Sequence, residues 1–235
     1  MIVTIDGPAG AGKSTIARKL AETLGFNFLD TGAMYRAITL GAIRKQIEFS
    51  DTALLISHAR SSTIEWKENR LILDEHDVTQ EIRSPVVTDS IRHVADVKEI
   101  RDALSEQQRR IAESQDIVTE GRDQGTDVFP NAECKIFLTA SPAERAKRRH
   151  QQLAELGRPI PLEQILETQN RRDAEDRERP QGALRPADDA VIINSDGLSF
   201  EAVIDMMLAA VEEKIHSQAS QASQAVQGRV HQADS

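Results

Sequence analysis

Apolar positions along this 235-residue chain change their period several times, and each change marks an element. Ile2–Asp6, Phe26–Asp30, Ile117–Glu120, Cys134–Thr139 and Ala190–Asn194 are short apolar runs of strand length. Between them the pattern turns helical. Ile16, Leu20 and Leu24 recur at helical spacing with Ala17 and Ala21 beside them, and Gly25 supplies a stop. Ser141-Pro142-Ala143-Glu144 combines a capping box with proline at the first helical position, predicting a helix to about Leu156 with Gly157 ending it. A further helical stretch, from about Leu162 to Arg179, ends before Pro180. Strands separated by helices predict an α/β fold, with a parallel sheet covered on both faces.

Residues 61–78 break this alternation. Thr63-Ile64-Glu65-Trp66 alternates, Lys67 to Asn69 is turn-like, and Leu71-Ile72-Leu73 follows. The pattern predicts a small antiparallel hairpin or three-stranded sheet, with Trp66 in its core. Ser84-Pro85 then opens a helix, and another spans roughly Val97 to Ser114. The core is therefore expected from 1–56 and 113–215, with an insertion at about 57–112. From about His216 the chain is polar, with Ser-Gln-Ala three times in succession between Ser217 and Ala225. Too little apolar content remains there to fold alone, so 216–235 is expected to be a disordered tail.

Composition narrows the class without naming a reaction. Hydrophobic residues make up 39% and charged residues 29%, and the net charge of −9 argues against a general nucleic-acid binder. No apolar run reaches membrane-span length, and the chain enters a strand at once, leaving no room for a signal peptide. Cys134 is the only cysteine and lies in an apolar run, so it reads as a strand residue in a reducing compartment. A cytoplasmic protein is expected, without nucleic-acid, membrane or obligate protein partners. The six histidines show no metal-ligand spacing.

The candidate chemistry begins at the first strand. Gly7-Pro8-Ala9-Gly10-Ala11-Gly12-Lys13-Ser14 matches G-x-x-x-x-G-K-[ST] at every fixed position, between a predicted strand and a predicted helix. Glycines let such a loop turn its N–H groups inward, and the helix start adds partial positive charge. Lys13 can then reach the outer phosphates of a nucleoside triphosphate, while the Ser14 hydroxyl can sit on a magnesium ion. Two further segments stand at strand ends, where ligands bind in parallel α/β sheets. They are Leu29-Asp30-Thr31-Gly32-Ala33-Met34-Tyr35-Arg36 and Glu120-Gly121-Arg122-Asp123. No Asn-Lys-x-Asp stretch is present for reading guanine, which disfavours a GTPase.

These motifs resemble the bacterial cytidylate kinases of the nucleoside monophosphate kinase group. The resemblance rests on Gly7–Thr15, Leu29–Arg36, Gly121–Thr126 and Arg171–Arg179, is supported by the insertion around Trp66, and covers about residues 1–215. It implies a P-loop three-layer fold with a five-stranded parallel sheet, a monophosphate-binding insertion and a short lid near 150–172. The implied reaction is transfer of the ATP γ-phosphate to CMP or dCMP. ATP is then expected on Gly7, Pro8, Ala9, Gly10, Ala11, Gly12, Lys13, Ser14 and Thr15. CMP is expected on Thr31, Arg36, Arg101, Arg122, Asp123, Arg172, Asp176 and Arg179, with Arg101 and Asp123 reading the base and Arg172 and Asp176 at the ribose. Lys13, Arg122 and Arg179 are expected to act on the charge of the transferring group, and Ser14 and, through water, Glu120 on magnesium. Arg172, Arg177 and Arg179 belong to the stretch that adjoins the lid in this family. One position departs: Arg92 stands where the family often places a serine near the base, with Ser90 close by.

Two other readings compete. One is a P-loop kinase acting on UMP or a small metabolite, although a hydroxyl acceptor would call for a base that the sequence does not offer. The other is a nucleotide-responsive binding protein that uses its tail to recruit a partner.

Overall fold

A computed structural model describes residues 1–67, 70–155 and 157–233, with backbone alone for Lys67 and 218–233. The core strands are β1 (Ile2–Asp6), β2 (Asn27–Asp30), β6 (Ile117–Gly121), β7 (Cys134–Thr139) and β8 (Val191–Asn194). They form one parallel sheet in the order β2-β6-β1-β7-β8. The expected strands therefore all exist, within a residue of the predicted bounds. Register pairs Asp6 with Gly121 and Asp30 with Glu120. This brings the carboxyl ends of β1, β2 and β6 into one row, where the candidate motifs begin.

Helix α1 (Lys13–Leu24) buries Ile16, Ala17, Leu20 and Ala21, and Gly25 ends it in the left-handed conformation. These residues pack with Val3, Ile5, Val118, Ile136 and Leu138 on one face of the sheet. Val203, Ile204, Met207 and Val211 of α9 (Phe200–Ala233) cover the same face. On the opposite face α2 (Thr31–Arg44) contributes Met34, Ala37 and Ile38. Leu55 of α3 (Thr52–Ser61) and Ile100 and Leu104 of α6 (Lys98–Ala112) complete that layer.

The insertion holds a three-stranded antiparallel sheet of β3 (Ile64–Lys67), β4 (Arg70–Leu73) and β5 (His76–Asp77), so the larger of the two expected forms is the one built. Glu68 and Asn69 of the expected turn lie outside the described residues. Trp66 is partly buried against an apolar cluster that includes Ile64, Leu71 and Leu73 of this sheet. Helices α4 (Pro85–Ser90) and α5 (Arg92–Ala95) connect this sheet to α6.

Helix α7 (Pro142–Glu155) starts where proline predicts, but only half of the capping box forms. The Glu144 N–H donates to Ser141 Oγ at 3.3 Å, whereas the Ser141 N–H donates to Asp196. Glu144 instead pairs with Arg148 one turn on. Leu156, the expected helix end, lies outside the described residues. Helix α8 (Leu162–Glu178) ends one residue early because Arg179 precedes Pro180 and takes an extended conformation. The described backbone of 216–233 is helical and continues α9. No proline interrupts the stretch, and alanine and glutamine favour extension of a helix already nucleated by its packed first half.

Candidate active site

The loop between β1 and α1 is shaped by one close approach. At Gly7, whose φ is +150°, a Cβ would collide with the Leu138 carbonyl of neighbouring β7, so only glycine lets the loop leave the sheet there. Gly12 then caps α1, leaving its first N–H groups facing the loop. Lys13 is buried and donates to the Pro8 carbonyl at 2.9 Å, folding its ammonium back over the loop. Burial, then the nearby Arg122 charge, depresses its pKa to about 7, against the opposing pull of Glu120, Asp6 and Asp176.

Carboxylates line the facing strand ends. Ser14 Oγ donates to Glu120 Oε1 at 2.6 Å, so the expected magnesium residues meet directly. A hydroxyl and a carboxylate are hard oxygen donors of the kind magnesium takes when phosphates and waters supply the rest. Among the described residues no cluster of three acidic, histidine or cysteine side chains could hold a metal alone. Thr31 Oγ1 donates to the Glu120 carbonyl at 2.7 Å, tying the start of α2 to β6. Asp30 caps α2 through the Ala33 N–H, and burial followed by the Glu120 charge raises its carboxyl to about 6.

The expected arginines converge from several elements. Arg36 on α2 donates to Thr88 Oγ1 at 2.9 Å. Burial first, then Arg172, Arg83 and Arg122, disfavour its charge, with Asp30 opposing them. Arg36, Arg172, Arg83 and Arg122 thus gather positive charge at one place, which favours binding of an anion there. Arg122 Nε donates to Asp176 Oδ2 at 3.0 Å, and Arg179 Nη2 donates to Asp176 Oδ1 at 2.8 Å. Burial works against ionisation of Asp176, but Arg122 and Arg179 outweigh it and hold the carboxyl below its usual range. Arg172 and Arg177 are exposed on α8.

The two expected base readers form an ion pair. Arg101 Nη2 donates to Asp123 Oδ2, and both side chains are buried. The guanidinium also lies over the Tyr35 ring, 5.6 Å from its centroid, while its Nε meets no hydrogen-bond partner among the described residues. Gly182 crosses close above them, where a Cβ would overlap the Arg101 guanidinium. Gln124–Val128, after Asp123, form a wide π-type turn, closed by the Phe129 N–H on the Gln124 carbonyl at 2.7 Å. Arg92, the position that departs from the family pattern, lies where the insertion meets α8. Its guanidinium reaches Glu175 on α8 and Asp96, while Ser90 closes α4.

Sequence reasoning missed three features. Asp6 accepts from the Gln124 N–H at 2.9 Å and the Gly125 N–H at 2.7 Å, anchoring the turn after Asp123 to β1. Burial raises Asp6 to about 7, although both backbone donors oppose the rise. The signal was available: a carboxylate ends an otherwise apolar strand immediately before Gly7. Arg83 joins the arginine group from a single 3₁₀ turn, Glu81–Arg83, a placement no local pattern reveals. Arg145 lies fully buried behind the loop, bonded to the Ala9 carbonyl at 2.9 Å and to Asp173 at 2.6 Å.

A glycine-rich loop leaving the central strand of such a sheet, with its lysine and serine at the head of the next helix, is the P-loop fold of nucleotide-phosphate-binding proteins. The solved structure of an uncharacterized protein from Eubacterium ventriosum shares the fold, with a TM-score of 0.52 at 13% identity over 91% of this chain and 98% of that one. Within this class the chain belongs to the cytidylate kinase family, whose model matches residues 3–213. A cytidylate kinase of Rhodopirellula baltica is 54% identical over 94% of this chain and 96% of its own length. Another, from Caldanaerobacter subterraneus subsp. tengcongensis, is 43% identical over 90% and 94%.

Proposed function

We propose that this protein transfers the γ-phosphoryl group of ATP to CMP or dCMP, giving ADP and CDP or dCDP. One observation carries the reading: the phosphate loop and the arginine group open onto the same strand ends. Lys13 on one side lies within the field of Arg122 and Asp176 on the other. Two anionic nucleotides can therefore bring their phosphates together here, as in-line transfer requires.

The chain's residues divide the work. The loop N–H groups of 7–15 and the start of α1 hold the ATP phosphates. Arg36, Arg122 and Arg179 hold the acceptor phosphate, the last two exchanging Asp176 for it. An oxygen of that phosphate bonds to the γ-phosphorus, and the bridge to the β-phosphate breaks. Lys13 and the arginines neutralise charge that spreads over the moving group. The acceptor is already ionised, so no base is required. Asp123 and Arg101 offer an acceptor and donors to the cytosine edge, with Arg172 and Asp176 beside the ribose. Thr31 places the α2 end of the monophosphate site. Ser14, with Glu120 through water, would hold a magnesium ion, which would offset the negative charge of the ATP phosphates. The insertion at about 57–112 and the segment at about 150–172 close over the substrates and exclude water.

An ADP-release assay across nucleoside monophosphates tests the assignment. CMP and dCMP should be the best acceptors. Activity confined to AMP, or to an acceptor that is not a nucleotide, would refute it.

A further inference from the structure

Arg92 has no role in the machinery above, yet it heads an unbroken chain of opposite charges that ends beside Lys13. Its Nη1 donates to Glu175 on α8, and its Nη2 donates to Asp96 at 3.3 Å. Asp96 Oδ1 accepts from Arg179 Nε at 2.9 Å. Arg179 continues to Asp176 at 2.8 Å, and Asp176 to Arg122 at 3.0 Å. The series Glu175–Arg92–Asp96–Arg179–Asp176–Arg122 thus alternates in sign at each step. It crosses from the insertion, which carries Arg92 and Asp96, to α8 and the residue after it, and then to the end of β6.

From this geometry we infer that Arg92 is a positioning residue, fastening the insertion to α8 through Glu175 and setting Arg179 through their shared carboxylate, Asp96. Arg179 emerges from α8 in extended backbone, so its direction depends on what its side chain meets. Asp96 is that partner on the insertion side, and Arg92 fixes Asp96 from the other flank. Without Arg92, Asp96 carries only the Arg179 bond and is free to draw that guanidinium outward. Without Glu175, Arg92 loses its hold on α8. A serine at 92 could do neither, because its side chain is too short to span the two elements.

This inference rests on the proposed role of Arg179 in binding the acceptor phosphate, and its test has one arm independent of that role. Partly exposed ion pairs are individually weak, so the expected kinetic effect is modest. Arg92→Ala and Glu175→Gln should each lower kcat/KM for CMP about 3–5-fold, with KM for ATP and the melting temperature unchanged. The double variant should lose no more than either single one, and Arg92→Lys should recover part of the loss. Additive losses, or equal loss on the ATP side, would overturn the inference. In the second arm, spin labels on cysteines at Asp89 and Arg171, both exposed, report the distance from insertion to α8 without any nucleotide. Buried Cys134 stays unlabelled. The distribution should be narrow with Arg92 and broad in Arg92→Ala; an unchanged distribution would overturn the latch. If the protein fails to phosphorylate CMP at all, the proposed function falls while this arm still decides the latch.

Discussion

Arg145 and Asp173 form an ion pair at 2.6 Å with side chains only 2% and 3% exposed, and it joins α7 to α8 directly behind the phosphate loop. Arg145 also donates to the Ala9 carbonyl at 2.9 Å and to the Ala140 carbonyl at 3.1 Å. Gln169 adds a bond to the Arg145 carbonyl and presses on Gly10. A guanidinium so enclosed depends on its counter-charge. Asp173→Ala should cost about 3–5 kcal/mol, because an unpaired buried charge remains. For a chain of this size that lowers the melting temperature by roughly 10 °C. Calorimetric unfolding checks it, and a loss within experimental error would show that the pair contributes nothing.

Lys13 gives a prediction in protons. Without nucleotide its pKa is depressed to about 7, chiefly by burial, so at pH 8 most of it is neutral. A bound polyphosphate favours the ammonium and moves the pKa back above the solution pH. Nucleotide binding at pH 8 should therefore take up a proton, up to about one per site. Titration calorimetry in buffers of different ionisation enthalpy reads that number. Lys13→Met should abolish both the uptake and the turnover while keeping the fold. Equal proton uptake in the variant would move the linked group elsewhere.

Asp123 should govern choice of acceptor. It is the acceptor half of the buried pair with Arg101 and stands two residues after β6. Asp123→Ala should lower kcat/KM for CMP by roughly 10–100-fold, the cost of losing a charged hydrogen bond. KM for ATP should stay near its original value, and discrimination between CMP and UMP should shrink. An equal loss for every acceptor would show that the residue supports the site without reading the base.

Much of this architecture was legible because local and global signals agree. Each core strand lies in a short apolar run of the right length, and Gly25, Pro142 and Pro180 mark helix ends by their own stereochemistry. The phosphate loop was legible for the same reason, since its glycines meet a backbone demand seen at Gly7 against Leu138. Long-range partnerships were not. Nothing local tells Ser141 that Asp196 will take its N–H, or that Arg145 will be buried against Asp173. The low apolar content of 216–233 argues against independent folding and is compatible with extending a helix already docked at Val203, Met207 and Val211.

The last stretch should be dispensable for catalysis. Val211 is buried against the α1 side of the sheet, ahead of residue 216. Removing 216–235 should leave turnover and acceptor preference unchanged in a steady-state assay. A collapse of activity would instead favour a role for the segment in the reaction itself.

The central claim is that one site moves a phosphoryl group between two nucleotides. Phosphorus NMR of the protein with ATP, magnesium and CMP observes this directly. ADP and CDP signals should grow in equal measure, with no inorganic phosphate and no growth in Lys13→Met. ADP accumulating with inorganic phosphate while CMP stays unchanged would contradict it.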